Sequence, residues 1–121
     1  MNTVLLVEDS VTDSKLLSGY LQQSGLTVVS VGSVEEAQAR LTDYRPDLIV
    51  LDVILPGQSG FELCLELKAN PETLSIPVLI CSSKNTKADK LWVNLLGADA
   101  YLAKPVNPQE LLQTVQQLIK N

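Results

Sequence analysis

Short aliphatic runs recur five times along the chain, and the stretches between them space their apolar residues as helices do. The runs are continuous rather than alternating, which is typical of strands covered on both faces, as in a parallel sheet. We predict strands over residues 3–7, 27–31, 47–51, 76–81 and 100–103.

Signals for helix starts and stops stand between these runs. Ser33 precedes Glu36 by three residues, the spacing of a capping box at the start of the second helix. Gly97 suits the position just past the end of the fourth helix, and Asn107 followed by Pro108 suits the start of the fifth. The predicted helices cover residues 11–23, about 34–41, about 61–69, about 86–96, and 108 to near the end of the chain.

Five strand–helix units in succession predict an α/β fold, in which helices cover both faces of a parallel sheet. Right-handed crossovers restrict the topology to a doubly wound, three-layer sandwich. The pattern contains no linker and no low-complexity tract, and 121 residues are enough to bury one core. We therefore expect a single domain over residues 1–121 with no output domain.

Composition and charge narrow the classes of partner. Hydrophobic residues make up 45% of the chain, but the longest apolar run is far shorter than the roughly 18 residues of a membrane span. The N-terminus lacks the basic start and apolar stretch of a signal peptide. The net charge is −5 and the nine basic residues are scattered, whereas nucleic-acid binders usually carry a basic patch. We expect a cytoplasmic protein that binds neither nucleic acid nor membranes.

Two residue types limit the chemistry further. Histidine is absent, which removes the commonest general base and metal ligand, so any phosphohistidine must belong to another molecule. Cys64 and Cys81 lie among apolar residues without CxxC spacing, which favours two reduced, buried thiols in a cytosolic protein over a redox pair.

Polar residues follow four of the five predicted strands. Glu8 and Asp9 follow the first, Asp52 the third and Lys104 the fifth, while Ser82 follows the fourth. Ligands of doubly wound folds bind at these carboxyl ends of strands. Three carboxylates converging there would repel, and either a divalent cation such as Mg²⁺ or a lysine ammonium would relieve the repulsion. Each acid alone is compatible with a helix cap or a solvated turn, so the combination carries the prediction.

Asp52 stands inside an otherwise apolar stretch, residues 48–55. Desolvating an unpaired carboxylate is expensive, and service as a nucleophile is one reason to keep it there. Aspartate carboxylates accept phosphoryl groups as acyl phosphates, a reaction that needs positioning and charge neutralisation rather than a histidine base. A metal on the acidic residues would neutralise one phosphoryl oxygen and Lys104 a second, and the Ser82 hydroxyl would bond the third.

Four motifs, in this order and spacing, make the chain resemble the response-regulator receiver domain of bacterial two-component systems, of the single-domain chemotaxis-regulator type. They are Val-Glu-Asp at 7–9, Leu-Asp-x-x-Leu-Pro-Gly-x-x-Gly at 51–60, Pro-Val-Leu-Ile-Cys-Ser at 77–82 and Gly-Ala-Asp-Ala-Tyr-Leu-Ala-Lys-Pro at 97–105. The resemblance covers essentially the whole chain. It implies a flavodoxin-like sandwich with strand order 2-1-3-4-5.

The resemblance also implies roles for the strand-end residues. Asp52 would be the phosphoacceptor, and Lys104 would contact the phosphoryl group. Glu8 and Asp9 would be the acidic pair that holds Mg²⁺, and Asp52 and the backbone carbonyl of Ile54 would complete the metal ligands. The phosphoryl donor would be a phosphohistidine of a sensor histidine kinase or phosphotransfer protein.

The resemblance further implies a switch. Lys104 would precede Pro105 through a cis peptide bond, Ser82 would be the hydroxyl switch residue, and Tyr101 would be the aromatic switch residue. Movement of the two would reshape the surface formed by the fourth helix, fifth strand and fifth helix, where a downstream target protein docks. Ile54 and Lys84 occupy positions that influence aspartyl-phosphate lifetime in the family.

Rival interpretations make different demands on the sequence. An FMN carrier of the same fold needs a hydroxyl- and glycine-rich loop after the first strand, but here that loop starts with two carboxylates, and aromatic residues to sandwich a flavin are scarce. A P-loop enzyme needs GxxxxGK[ST], which is missing. An aspartate-nucleophile phosphatase would want an acid where Ile54 stands. The serious alternative is a receiver-shaped interaction module that is never phosphorylated.

Trp92, among leucines of the fourth helix, is either a core anchor or a contact for a partner.

Overall fold

The computed structural model describes residues 2–83 and 86–120, without the side chains of residues 92, 93 and 120. The predictions for Lys84 and for the Trp92 side chain therefore lie outside the described residues. Within these limits strands and helices alternate throughout, as predicted. The elements are β1 (Thr3–Val7), α1 (Val11–Gln23), β2 (Thr27–Val31), α2 (Val34–Arg40), β3 (Leu48–Leu51), α3 (Gly60–Ala69), β4 (Val78–Ser82), α4 (Lys87–Leu95), β5 (Ala100–Ala103) and α5 (Pro108–Lys120).

All strand pairs of the sheet are parallel, and the strand order is β2-β1-β3-β4-β5. The register places Val7 beside Val31 on one side and beside Leu51 on the other. Leu51 in turn pairs with Ile80, which pairs with Tyr101. The strands therefore end nearly level at one edge of the sheet, and the predicted doubly wound order is confirmed.

Side chains of the inner strands alternate between two hydrophobic cores on opposite faces of the sheet. On β3, Ile49 and Leu51 belong to one core, and Leu48 and Val50 belong to the other. The helices close the cores with Val34, Ala37, Leu63, Cys64 and Leu67 from α2 and α3, joined by Leu41 directly after α2, and with Leu17, Leu21, Leu111 and Val115 from α1 and α5. Since both faces are buried, the inner strands are apolar apart from Thr3 at the start of β1 and Ser82 at the end of β4, which explains the continuous runs.

The predicted helix ends are largely confirmed. The Ser33 hydroxyl accepts a hydrogen bond from the Glu36 amide at 3.2 Å, and the Glu36 carboxylate accepts one from the Gly32 amide at 2.6 Å. Gly97 has a φ of 86°, the left-handed conformation expected just past a helix. The Asn107 side chain accepts from the amides of the first turn of α5, as an N-cap does.

β4 begins two residues later than the aliphatic pattern predicts. Pro77 has no amide hydrogen to contribute to the sheet, and the Ile76 amide instead donates to the Thr73 carbonyl at 3.0 Å, within a turn. Ile76 is nevertheless buried, so its side chain fills the core from outside the strand. The apolar signal here reports burial and not strand geometry.

Two aspartates at the opposite edge of the sheet from the strand ends tie elements together. Asp47, predicted as the first residue of the third strand, instead precedes β3 and accepts from the Thr3 amide at 2.7 Å. Asp99 accepts from the Val78 amide at 2.8 Å and pairs with the Lys68 ammonium at 2.9 Å. The Lys68 ammonium thereby joins α3 to the loop before β5.

Both cysteines are buried and unbridged, as predicted. Burial raises the pKa of the Cys64 thiol to about 11 and that of the Cys81 thiol to about 12. Since the thiolate is the reactive form, both side chains act as small apolar core residues.

No helix within residues 2–83 and 86–120 is long and apolar enough to span a membrane.

Replacing Tyr44 by Phe is expected to leave the protein as stable as before or to raise its free energy of unfolding by about 1 kcal/mol. The Tyr44 ring packs against the core, but its hydroxyl oxygen is buried without a hydrogen-bond partner among the described residues. Urea unfolding measures the difference, and Tyr20→Phe on the other face of the sheet is the control. A loss above about 1 kcal/mol in Tyr44→Phe would contradict the buried, unpaired hydroxyl.

Candidate functional site

The polar residues that follow the strands are held at one edge of the sheet by backbone hydrogen bonds. The Asp52 amide donates to the Val7 carbonyl and the Lys104 amide donates to the Ser82 carbonyl, each at 3.0 Å. Glu8, directly after Val7, donates its amide to the end of β2. The sheet register thus brings together side chains that are up to 96 residues apart in sequence.

These side chains line a cleft of about 410 Å³. Five predicted site residues contribute to its wall, namely Glu8, Asp9, Asp52, Ile54 and Lys104. Four further residues line it as well: Ser10, Asp13, Ser83 and Pro105. The cleft is open to solvent on the side of Asp9 and Pro105, which are both exposed.

The Lys104 ammonium lies at the centre of the carboxylates. It donates to Asp52 Oδ2 at 2.8 Å, to Asp13 Oδ2 at 3.0 Å and to Glu8 Oε1. The side chains of Glu8 and Asp52 are nearly inaccessible, with 1% and 7% of their surface exposed, whereas 38% of the Asp13 side chain is exposed. All three N–H groups of the ammonium therefore have a carboxylate acceptor.

Burial and pairing act in opposite directions on the charges. Burial lowers the pKa of Lys104, but hydrogen bonds to Asp52, Glu8 and Asp13 outweigh burial, so this pKa lies above its ordinary value. Burial raises the pKa of Glu8, and the hydrogen bonds from Lys104 and the Ser10 amide offset only part of that effect. Lys104 consequently stays protonated, and its ammonium group holds the buried carboxylates of Glu8 and Asp52 in place.

Both oxygens of the Asp52 carboxylate have a donor. Oδ1 accepts from the Ile54 amide at 3.0 Å, while Oδ2 faces Lys104. The Ile54 side chain itself is 46% exposed at the rim of the cleft. The carboxylate is thus held by donors from the backbone and from a side chain, facing the cleft that a reactant would enter.

The side chains that could bind a metal ion in the cleft are the carboxylates of Glu8, Asp9 and Asp52, which supply oxygen ligands. Within the described residues, no group of three acidic or cysteine side chains already surrounds a single point as metal ligands. Lys104 instead occupies the space between two of these acids and Asp13. Hard oxygen donors, two of them from the buried side chains of Glu8 and Asp52, fit a small divalent ion such as Mg²⁺.

Neither of the two predicted switch residues is among the described residues that line the cleft. Ser82 is completely buried at the last position of β4, and its neighbour Ser83 lines the cleft. Tyr101 on β5 is half-buried and packs against the core on the α2 and α3 side. Burial, together with the charges of Asp89 and Asp52, raises the pKa of the Tyr101 hydroxyl. A predicted detail of the neighbouring loop is confirmed, since Lys104 and Pro105 are joined by a cis peptide bond.

Sequence reasoning did not single out Asp13. Its position in the first turn of α1 reads as an ordinary acidic residue near a helix N-terminus, where the dipole favours a carboxylate. Only the closeness of α1 to the end of β5 shows that its side chain reaches Lys104. The signal available in the sequence was that α1 begins at the edge where the other acids gather.

Comparison with known proteins assigns the chain to a family. The model of the response regulator receiver domain matches residues 4–116. The chain belongs to the response regulator receiver domain family. Protein PilH of Pseudomonas aeruginosa is 33% identical to this receiver domain over 119 residues, covering 98% of both chains. The phosphate regulon regulator PhoB of the same organism is 32% identical over 98% of this receiver domain, which spans only 52% of PhoB.

Solved structures agree with this assignment. Chemotaxis response regulator CheY4 of Vibrio cholerae superposes on the receiver domain with a TM-score of 0.90 at 31% identity, covering 98% of each chain. The receiver domain of sensor histidine kinase PA1611 from Pseudomonas aeruginosa gives a TM-score of 0.91 at 26% identity, covering 99% of this chain and 98% of that one. That structure holds a magnesium ion coordinated in its active-site cleft.

Proposed function

We propose that this receiver domain is a phosphorylation-controlled switch in which Asp52 accepts a phosphoryl group from a phosphohistidine. The donor is a sensor histidine kinase or a phosphotransfer protein, since this chain has no histidine of its own. The observation that carries the proposal is the buried Asp52 carboxylate, oriented by Ile54 and held 2.8 Å from the Lys104 ammonium at an open cleft.

Transfer of the phosphoryl group to Asp52 requires no general base, because a carboxylate has no proton to lose. An oxygen of the Asp52 carboxylate forms the new O–P bond as the P–N bond to the donor imidazole breaks, and the imidazole leaves with that electron pair. The Ile54 amide orients the carboxylate, and the Lys104 ammonium, 2.8 Å from Asp52 Oδ2, would donate to a phosphoryl oxygen. Ser82 supplies a hydroxyl at the next strand end.

We further propose that Mg²⁺ is bound by Glu8, Asp9 and Asp52 with the backbone carbonyl of Ile54. When bound, the ion would neutralise charge on the transferred phosphoryl group. The ligand chemistry of the cleft supports this assignment, as does the magnesium in the cleft of the related PA1611 receiver domain.

The output is proposed to be protein binding through the surface formed by α4, β5 and α5. Leu91 and Leu95, one helical turn apart on α4, have 62% and 79% of their surface exposed, which suits a protein contact. Tyr101 belongs to β5 of this surface, and its ring would link the surface to the site. Phosphorylation would act by shifting the population between two conformations.

The match with PilH, which covers 98% of both chains, supports a role in signalling by a chemotaxis-like regulator. We propose that this receiver domain works in the cytoplasm, where the catalytic parts of histidine kinases meet their receivers. Its charge of −5, with scattered basic residues, supports protein partners rather than nucleic acid or membranes.

Incubation with Mg²⁺ and acetyl phosphate, followed by intact-mass measurement, tests the proposal. We expect one adduct of about 80 Da, which is one phosphoryl group. Chelation of the metal before adding the donor is expected to prevent the adduct. If neither the small donor nor a phosphorylated phosphotransfer protein produces an adduct, the chain is a receiver-shaped interaction module that is not phosphorylated.

A further inference from the structure

We propose that Asp13 is a positioning residue that retains Lys104 in the unphosphorylated protein and thereby slows phosphorylation of Asp52. The inference rests on the proposed function of Asp52 and adds a residue that the four sequence motifs do not contain. It follows from how the hydrogen bonds of one ammonium group are shared.

The Lys104 ammonium has three hydrogens, and three carboxylates accept them in the unphosphorylated protein. Asp13 takes one of these bonds, with its Oδ2 atom 3.0 Å from Nζ. A phosphoryl group that arrives at Asp52 brings new anionic oxygens, and Lys104 can donate to one of them only by giving up a present acceptor. Phosphorylation therefore requires an exchange of partners at this nitrogen.

Asp13 is the acceptor that Lys104 can release at least cost. The side chains of Glu8 and Asp52 are 1% and 7% exposed, so either one would lose a donor where water cannot replace it. The Asp13 side chain is 38% exposed, and water can solvate its carboxylate as soon as Lys104 leaves. The exchange is thus between Asp13 and the incoming phosphoryl oxygen.

The backbone holds Asp13 in place for this role. Its amide donates to the Ser10 hydroxyl at 3.2 Å, which fixes the first turn of α1. The Ser10 amide in turn donates to Glu8 Oε2 at 3.1 Å. A single loop therefore connects a proposed metal ligand with the competing carboxylate, and only the Asp13 side chain needs to rotate when Lys104 moves.

Removing the Asp13 charge should release Lys104 and remove one negative charge near the arriving phosphoryl group. Both effects favour the transfer. For an ion pair of this exposure, we expect Asp13→Asn to speed phosphorylation about three- to tenfold. Asp13→Glu keeps the charge on a longer, flexible side chain and is expected to stay near the wild-type rate.

The test measures initial rates of adduct formation with acetyl phosphate at saturating Mg²⁺, for the wild type, Asp13→Asn and Asp13→Glu. Asp43→Asn, an exposed carboxylate beyond the end of α2 and away from the cleft, is the matched control and is expected to react as the wild type does. Repeating the rates at a second saturating Mg²⁺ concentration separates an effect on Lys104 from an effect on metal affinity.

Each outcome decides the inference. A faster Asp13→Asn with an unchanged Asp13→Glu supports it. An Asp13→Asn variant that reacts at the wild-type rate overturns it and leaves the proposed function intact. Equal acceleration in both variants also overturns it, because a loosened helix start rather than charge would then explain the rate. If the wild type forms no adduct with acetyl phosphate or with a phosphorylated phosphotransfer protein, the proposed function fails, and the inference fails with it.

Discussion

Asp52→Asn is expected to abolish formation of the phosphoryl adduct while leaving the fold intact. The neutral amide oxygen is a far poorer nucleophile than a carboxylate oxygen, and an acyl phosphate cannot form on it. The substitution keeps the shape of the side chain, so Oδ1 can still accept from the Ile54 amide. Intact mass after incubation with Mg²⁺ and acetyl phosphate measures the loss, and circular dichroism checks the fold.

Asp43→Asn provides the matched control, since it removes one exposed carboxylate outside the cleft and should retain the full adduct. An undiminished adduct on Asp52→Asn would place the acceptor elsewhere. Asp9 is then the first alternative to test, because it also lines the cleft and is exposed. A residual adduct on Asp52→Asn that disappears in the double variant with Asp9→Asn would identify Asp9.

Gly60→Ala is expected to lower the free energy of unfolding by about 3 kcal/mol or more. A Cβ atom at Gly60 would lie 2.2 Å from the Asp52 carbonyl oxygen and 2.7 Å from Val53 Cα. Both neighbours are backbone atoms, so no side-chain rotation relieves the collision. The start of α3 must move away from the loop after β3, and the 3.2 Å hydrogen bond from the Gly60 amide to the Val53 carbonyl weakens.

Urea unfolding of Gly60→Ala measures this loss, and Gly19→Ala is the control. Gly19 lies within α1 with no atom near its missing Cβ, so alanine there should stabilise the helix by about 0.5–1 kcal/mol. Because the collision involves the Asp52 backbone, Gly60→Ala should also phosphorylate more slowly. A Gly60→Ala protein within about 1 kcal/mol of the wild type would show that the loop accommodates the methyl group freely.

The sequence predicted elements well where local patterns and burial coincide. β1, β2 and β5 have the predicted bounds, because their apolar runs end at polar residues or glycine, and α1 has its predicted bounds as well. It failed by two residues at β4, where the buried Ile76 lies in a turn before Pro77. Hydrophobic patterns report which side chains are buried, whereas strand ends depend on which backbone amides find a partner strand.

The site divides in a similar way. Glu8, Asp9, Asp52 and Lys104 could be named from the sequence because parallel strands end at one edge, so residues after strand ends become neighbours. Asp13 could not be named, because its contact with Lys104 depends on how α1 is placed against the end of β5. Nor could the sequence tell that Lys104 has three acceptors in the unphosphorylated state.

By itself, then, the sequence of this chain determined a doubly wound α/β fold, its family motifs and four of the charged residues that line the cleft, namely Glu8, Asp9, Asp52 and Lys104. Its aliphatic runs indicate the strands of a parallel sheet, and this topology brings the residues after those strands to one edge. The tertiary structure alone decided how the charges are shared: which carboxylates are buried, which is exposed, and that one ammonium binds three of them. Burial and distance set the strength of ionic contacts, and both arise from packing between elements far apart in sequence.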